Sequence, residues 1–323
     1  MLRTSLVALC LMLLPAAAEA QQRLVLGVQE SGTVQWELAA IDALGLDDRH
    51  GIEIELRYVA DSRAGQIALQ SGAVDVILSD FVWVSVQRGS GNPVTMVPHS
   101  LAVGGLMVPS GSGLAGVDDL AGTTIGVAGG PADKSWVVLQ AYYADRTGGV
   151  LAEDASARYG APPLINELLT AGNIEAGLNF WQWNARLKAT GLVELISVAD
   201  MLRELGVSEP PPLLGWTFLE TTAEQKPEAL ARFLEASFDA KQALAEDDAV
   251  WPSLAELMGA ADDPALFERL RDDYRAGIVL RYAPENTAAA EQAYQLLARQ
   301  GGSDIVADQP TLAPGTFWPG FRR

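Results

Sequence analysis

The sequence predicts an α/β protein of two lobes, each a mostly parallel sheet flanked by helices, with two hinge-crossing strands joining them. Three observations carry this reading. Short apolar runs alternate with helical stretches of about ten residues, the signature of βαβ units. The alternation starts afresh at residue 124. Two apolar runs, 102–108 and 213–219, are placed to carry the chain out of the first lobe and back into it.

The elements follow in order. Residues 23–28 read as a strand, 29–32 as a polar turn, and 33–44 as a helix closed by Gly45. Residues 52–59 alternate apolar and polar like a strand. A helix over 62–71 ends at Gly72, and strand, helix and strand follow at 74–79, 81–88 and 94–97. The second series has strands at 124–128, 175–180 and 193–197, and helices at 134–146, 163–171 and 183–190. Gly27-Val28 is followed by a polar turn and Trp36, and Gly126-Val127 by a polar turn and Trp136, an internal echo of the lobe openings. The boundaries are thus 21–104 plus 216–323 for lobe one and 105–215 for lobe two. The helical stretches 224–246, 264–276 and 286–299 are expected to pack on lobe one and close it.

Composition narrows the function. Lys plus Arg number 22 against 41 Asp plus Glu, a net charge of −19 with no basic cluster. Nucleic acid and anionic membrane surfaces recruit basic patches, so neither is an expected partner. At the N-terminus, Met1-Leu2-Arg3 precedes the apolar run 6–14, and Ala18 and Ala20 form an A-x-A cleavage pattern. Residues 1–20 therefore read as a cleavable signal peptide and the mature chain as a periplasmic protein. The single cysteine, Cys10, lies inside this leader, so no disulfide is expected.

Catalytic signatures are sparse. Gly111-Ser-Gly113-Leu-Ala-Gly116 has the letters of a dinucleotide fingerprint, but Pro109 precedes it and no long helix follows, so it reads as a surface turn. The mature chain has only His50 and His99, which disfavours a His-based metal site, and the Asp-Asp pairs read as solvated helix ends. No constellation asks for a cofactor.

Binding signals are richer. Each lobe opens with strand, polar turn and helix, which aims helix N–H groups out of the strand's carboxyl end. Gln29, Ser31, Gly32 and Thr33 form the first turn, where Ser31 and Thr33 can equally serve as helix caps. Asp133, Lys134 and Ser135 form the second, and Lys134 is the only cation in either. Ser79 and Asp80 end a further strand, and His99 ends the strand before the first crossing. Trp36, Trp83, Trp181 and Trp183 stand near strand ends, where aromatic walls suit a ligand cleft, whereas Trp136 and Trp216 suit a core.

Four stretches carry a resemblance: Leu26-Gly-Val-Gln-Glu-Ser-Gly-Thr-Val-Gln-Trp36, Ala68-Leu-Gln-Ser-Gly-Ala-Val-Asp-Val-Ile-Leu-Ser-Asp80, Asp118-Asp-Leu-Ala-Gly-Thr-Thr-Ile-Gly-Val127 and Gly129-Gly-Pro-Ala-Asp-Lys-Ser-Trp136. With them the chain resembles the periplasmic substrate-binding proteins of ABC importers, in the family handling nitrate, sulfonates or taurine, and thiamine-pyrimidine precursors. The resemblance implies the type II periplasmic-binding-protein fold and a monomer. It also implies capture of a small ligand and its delivery to a membrane permease with a cytoplasmic ATPase. Ligand positions in the family map onto 29–33, 79–80 and 133–135. Many tryptophans and few cleft cations fit an amphipathic or aromatic ligand, with room for one acidic group, better than a bare inorganic anion. Two alternatives stay open: a pyrimidine-synthesis-like enzyme holding pyridoxal phosphate on Lys134, and a ligand-sensing subunit for a membrane sensor.

Overall fold

The computed structural model describes residues 22–30, 32–283 and 287–323. The expected leader with Cys10, and the candidate Ser31, lie outside them. Ten strands form two five-stranded sheets. The first contains β1 (Gln22–Gln29), β2 (Ile52–Val59), β3 (Val76–Asp80), β4 (Val94–Ser100) and β10 (Leu214–Leu219), in the order β2-β1-β3-β10-β4. The second contains β5 (Gly105–Val108), β6 (Thr124–Ala128), β7 (Ser156–Gly160), β8 (Ala176–Asn179) and β9 (Val193–Ser197), in the order β7-β6-β8-β5-β9. In each sheet four strands run one way and one runs against them: β10 pairs antiparallel with β3 and β4, β5 with β8 and β9. The two sheets therefore repeat one plan, as the echoed openings foretell. Trp36 and Trp136 occupy matching places, buried early in the helices that follow β1 and β6, the corresponding strands of the two sheets.

The crossing segments differ from expectation in one respect. The apolar runs at 102–108 and 213–219 are not themselves hinge strands. Residues 105–108 belong to the second sheet and 214–219 to the first, and the chain crosses through non-strand residues at 101–104 and 205–213. Each reversed strand is thus the first one laid down after a crossing. The Gly104-Gly105 pair is dictated by backbone approach, since a Cβ on Gly104 would lie 1.6 Å from the Asn179 carbonyl oxygen.

Packing follows burial on both faces of the inner strands. Leu24, Leu26 and Val28 on one face of β1 are at most 2% exposed, and on the other face Val25 is half-buried and Gly27 buried, which is why this strand reads as an apolar run and not as an alternation. Short polar elements escape the sequence reading. The edge strand β7, Ser-Ala-Arg-Tyr-Gly, has no buried residue, and the Leu46–His50 helix is a single turn held by Leu46. His50, expected in a solvated loop, ends that helix, with its Nε2 2.8 Å from an Asp239 carboxylate oxygen.

The C-terminal helices correct a second expectation. The Pro227–Glu246 helix does pack on lobe one, against the Val34–Ala43 helix and β1. The Pro264–Ala276 helix also packs on the Trp181–Ala189 helix of lobe two while its Tyr274 meets Trp36 of lobe one, and Ala288–Gly301 packs on the Lys134–Thr147 helix of lobe two while its Tyr294 meets Phe81 of lobe one. Lys188 of the Trp181–Ala189 helix lies 3.7 Å from Asp273, and Arg186 of the same helix donates to the Met258 carbonyl, just before the Pro264–Ala276 helix, at 2.9 Å. Among the described residues no helix is long and apolar enough to cross a membrane.

Candidate functional site

Turns at the carboxyl ends of strands from both sheets converge on one cavity of about 340 Å³, within the usual size for a small-molecule site. On the lobe-one side, β1 ends at Gln29, whose side chain donates to Ser62 Oγ at 3.0 Å. Gln35 turns back and donates to the Gln29 and Glu30 carbonyls, each at 2.7 Å, which fixes the loop. Thr33 precedes the Val34–Ala43 helix but makes no side-chain cap, so its capping role is not realised. β3 ends at Ser79 and Asp80. Ser79 Oγ accepts from Gln66 at 3.3 Å, and Asp80 caps the Phe81–Gly89 helix by accepting from the Trp83 N–H at 2.9 Å.

On the lobe-two side, Asp133 caps the Lys134–Thr147 helix, accepting from the backbone N–H groups of Ser135 (2.9 Å) and Trp136 (3.3 Å). Lys134 Nζ reaches across to Asp80 at 3.1 Å, an ion pair that links the lobes through the cavity. The Asp80 carboxylate raises the Lys134 ammonium above its ordinary pKa, while burial raises the Asp133 carboxyl. β8 ends at Asn179, whose side chain accepts from the Phe180 N–H and donates to Asn166, setting the turn into the Trp181–Ala189 helix.

Of the residues singled out from sequence, Gln29, Gly32, Thr33, Ser79, Asp80, Asp133, Lys134, Ser135 and Trp181 line this cavity. Four others do not. Trp36 is 4% exposed and packs edge-on to Trp181 at 5.8 Å, with Tyr274 at 5.4 Å, so it supports the wall from behind. Trp83, in the first turn of its helix, is partly buried against the hydrophobic core. Trp183 turns away beneath the Arg186 guanidinium, which sits 5.6 Å over its ring. His99 is buried in lobe one, with Nδ1 3.4 Å from Glu37 and its ring 5.1 Å from Trp216. Burial, with the nearby Lys241 charge, holds the His99 pKa well below 6.5. As expected, Trp136 and Trp216 are core residues, at most 2% exposed.

Sequence reasoning missed Asp61, Ser62, Phe180 and Gln182, which also line the cavity. The strand-end rule that found the other turns applies equally to β2, which ends just before Asp61. Asp61 caps the Ser62–Gln70 helix, accepting from the Ala64 N–H at 2.8 Å. Among the described residues no cluster of His, Cys, Asp and Glu is arranged to hold a metal. The 111–116 segment forms a turn, and the helical turn that follows is only four residues long, Val117–Leu120.

The family description "NMT1/THI5 like" matches residues 43–249. No curated protein sequence matches significantly. Solved structures do. The alkanesulfonate-binding protein SsuA of Xanthomonas axonopodis pv. citri, bound to MOPS, superposes with a TM-score of 0.68 at 19% identity, covering 92% of this chain and 98% of that one. The periplasmic aliphatic sulphonate-binding protein SsuA of Escherichia coli gives 0.69 at 16% identity, over 90% and 97%. A mutant of DszB in complex with biphenyl-2-sulfinic acid gives 0.60 at 17% identity, over 92% and 98%. At such identities the likeness establishes the shared two-lobe architecture. The family match spans well over half the chain, from the first helix of lobe one through lobe two into the C-terminal helices, and with it the chain belongs to the NMT1/THI5-like family.

Proposed function

We propose that this protein is an extracytoplasmic solute-binding receptor that captures a small ligand between its lobes and delivers it to an ABC permease with a cytoplasmic ATPase. One observation carries the reading: a single cavity is walled by strand-end turns of both sheets and bridged by the Asp80–Lys134 ion pair. A ligand there touches both lobes at once, so its binding energy favours the closed arrangement over the open one. Gln29, Thr33, Ser79 and Ser135 are the proposed polar contacts, and Trp181 the proposed aromatic wall. In this reading 21–104 with 216–323 and 105–215 are the two moving bodies, and the receptor works as a periplasmic monomer after loss of its leader. Solved SsuA proteins that bind alkanesulfonates on the same architecture support a transport role.

Lys134 also bears on the enzymatic alternative. A Schiff base with pyridoxal phosphate needs a neutral amine. Asp80 favours the ammonium form instead, which supports a binding role for this lysine.

The test is a thermal-shift screen of the mature chain against sulfonates, taurine, pyrimidine precursors, aromatic carboxylates and other small nutrients. A true ligand at about 100 times its Kd stabilises the fold by about 2.7 kcal/mol, which moves the midpoint by several degrees. One such hit, with contraction of the protein in small-angle scattering, is the expected result. A flat screen, together with native mass spectra showing no retained small molecule, would overturn the receptor reading.

A further inference from the structure

We propose that the ligand is uncharged: an apolar body carrying hydrogen-bonding groups, and not an oxyanion such as a sulfonate or carboxylate. This rests on the receptor reading and concerns the charge of whatever the cavity accepts. Five helices of nine residues or more begin at the cavity wall: Val34–Ala43, Ser62–Gln70, Phe81–Gly89, Lys134–Thr147 and Trp181–Ala189. Each N-terminus presents about half a positive charge, so such a convergence is what an anion site needs.

In this chain the anionic positions are already filled from within. Asp61, Asp80 and Asp133 each stand at a helix N-terminus and accept its N–H groups at 2.8–3.3 Å. Lys134, the only cation among the described lining residues, is itself 3.1 Å from Asp80. Three carboxylates therefore nearly cancel five helix ends and one ammonium, and the cavity is close to neutral. An incoming anion would lose its hydration, meet three carboxylates and find no unengaged cation, so the partial charges of two uncapped helix ends alone would have to offset the desolvation. What remains open suits a neutral molecule. The Val34–Ala43 and Trp181–Ala189 helices have no side-chain cap. The N–H groups of Gln35, Trp36 and Trp183 donate to the Gly32, Thr33 and Phe180 carbonyls, so only the N–H groups ahead of them in each first turn are left to meet an uncharged acceptor such as an amide or ring nitrogen. Val103, Trp181 and Leu213 supply the apolar wall.

The experiment uses acid–amide pairs of nearly equal shape: benzenesulfonate and benzenesulfonamide, benzoate and benzamide, nicotinate and nicotinamide. Each is titrated into the mature wild-type chain and into Asp80→Asn. Asparagine keeps a side-chain oxygen to cap the helix while releasing Lys134 from its partner. The expected result is that amides bind wild type at least tenfold tighter than their acids, and that Asp80→Asn gains at least tenfold for benzenesulfonate. Acids that bind wild type as tightly as their amides overturn the charge inference and leave the receptor reading intact. Should no pair member bind wild type, the variant decides: a gain for benzenesulfonate supports the inference, and no gain overturns it. Failure of the receptor reading shows itself separately, as a flat response to the whole nutrient screen with no retained molecule in native mass spectra.

Discussion

Two lysine–carboxylate pairs in this molecule share one chemistry and differ in everything that surrounds it. Lys241 and Glu37 lie in the lobe-one interior, at 1% and 0% exposure, with Nζ 3.0 Å from the carboxylate. Ser237 bridges them, accepting from Lys241 at 2.7 Å and from the Trp216 indole at 2.9 Å, and donating to Glu37 at 2.5 Å. Lys134 and Asp80 face each other across the cavity, with side chains 39% and 24% exposed. The first pair joins two helices of one lobe and the second joins two lobes. A buried pair is costly to break because separation strands a charge away from water. A half-exposed pair costs little to open, because water takes each partner's place. The interior pair thus suits a fixed body, and the cavity pair suits the boundary that opens and closes in the proposed receptor cycle.

Substitutions that break this contrast have graded effects. Lys241→Met strands the Glu37 carboxylate and should cost about 3–5 kcal/mol in chemical denaturation. The double variant Glu37→Leu/Lys241→Met should recover much of that loss, and additive losses would show that the pair is not coupled. Next comes Trp181→Ala, which removes a half-buried ring from the Trp36 and Tyr274 contacts and from the cavity wall. It should cost about 1–3 kcal/mol and weaken ligand binding at least tenfold, whereas Trp183→Ala should leave affinity unchanged.

Acidification probes the interior cluster more gently. His99 is held neutral in the fold, whereas the unfolded ring takes a proton below about its ordinary 6.5. The unfolded state then binds more protons, so stability should fall as pH drops below 6.5, by up to about 1.4 kcal/mol per unit. The His99→Phe variant should lack this slope in pH-dependent melts. The smallest stability change belongs to the cavity pair. Lys134→Ala should cost about 0–1 kcal/mol, yet it should shift the ligand-free protein toward open forms in small-angle scattering. A cost of several kcal/mol would show that this pair is structural after all.

Much of this architecture is legible from one dimension. Strands buried on both faces need unbroken apolar runs, and the helices between them need capping and terminal glycines, so β1, β2, β6 and β9 sit within a residue or so of where pattern places them. The strand-end rule likewise leads to Gln29, Asp80 and Lys134 without any knowledge of their neighbours. Burial is harder, because a tryptophan near a strand end has the same sequence signature whether it faces ligand or core. Trp181 and Trp183 are two residues apart, and helical rotation alone sends one to the cavity and the other to Arg186. His99 ends its strand as a cleft residue would, yet Glu37 and Lys241, distant in sequence, claim it for the interior.

Local periodicity and turn chemistry already write the two-lobe α/β plan, the repeated lobe opening and the polar strand-end turns into the chain. The grip of the C-terminal helices on both lobes, the matching of Lys134 by Asp80 and the closing of three helix ends by the chain's own carboxylates emerge with the assembled fold. Those outcomes depend on distances between residues far apart in the chain, and charge balance in a cavity is a property of the assembled walls, not of any one segment.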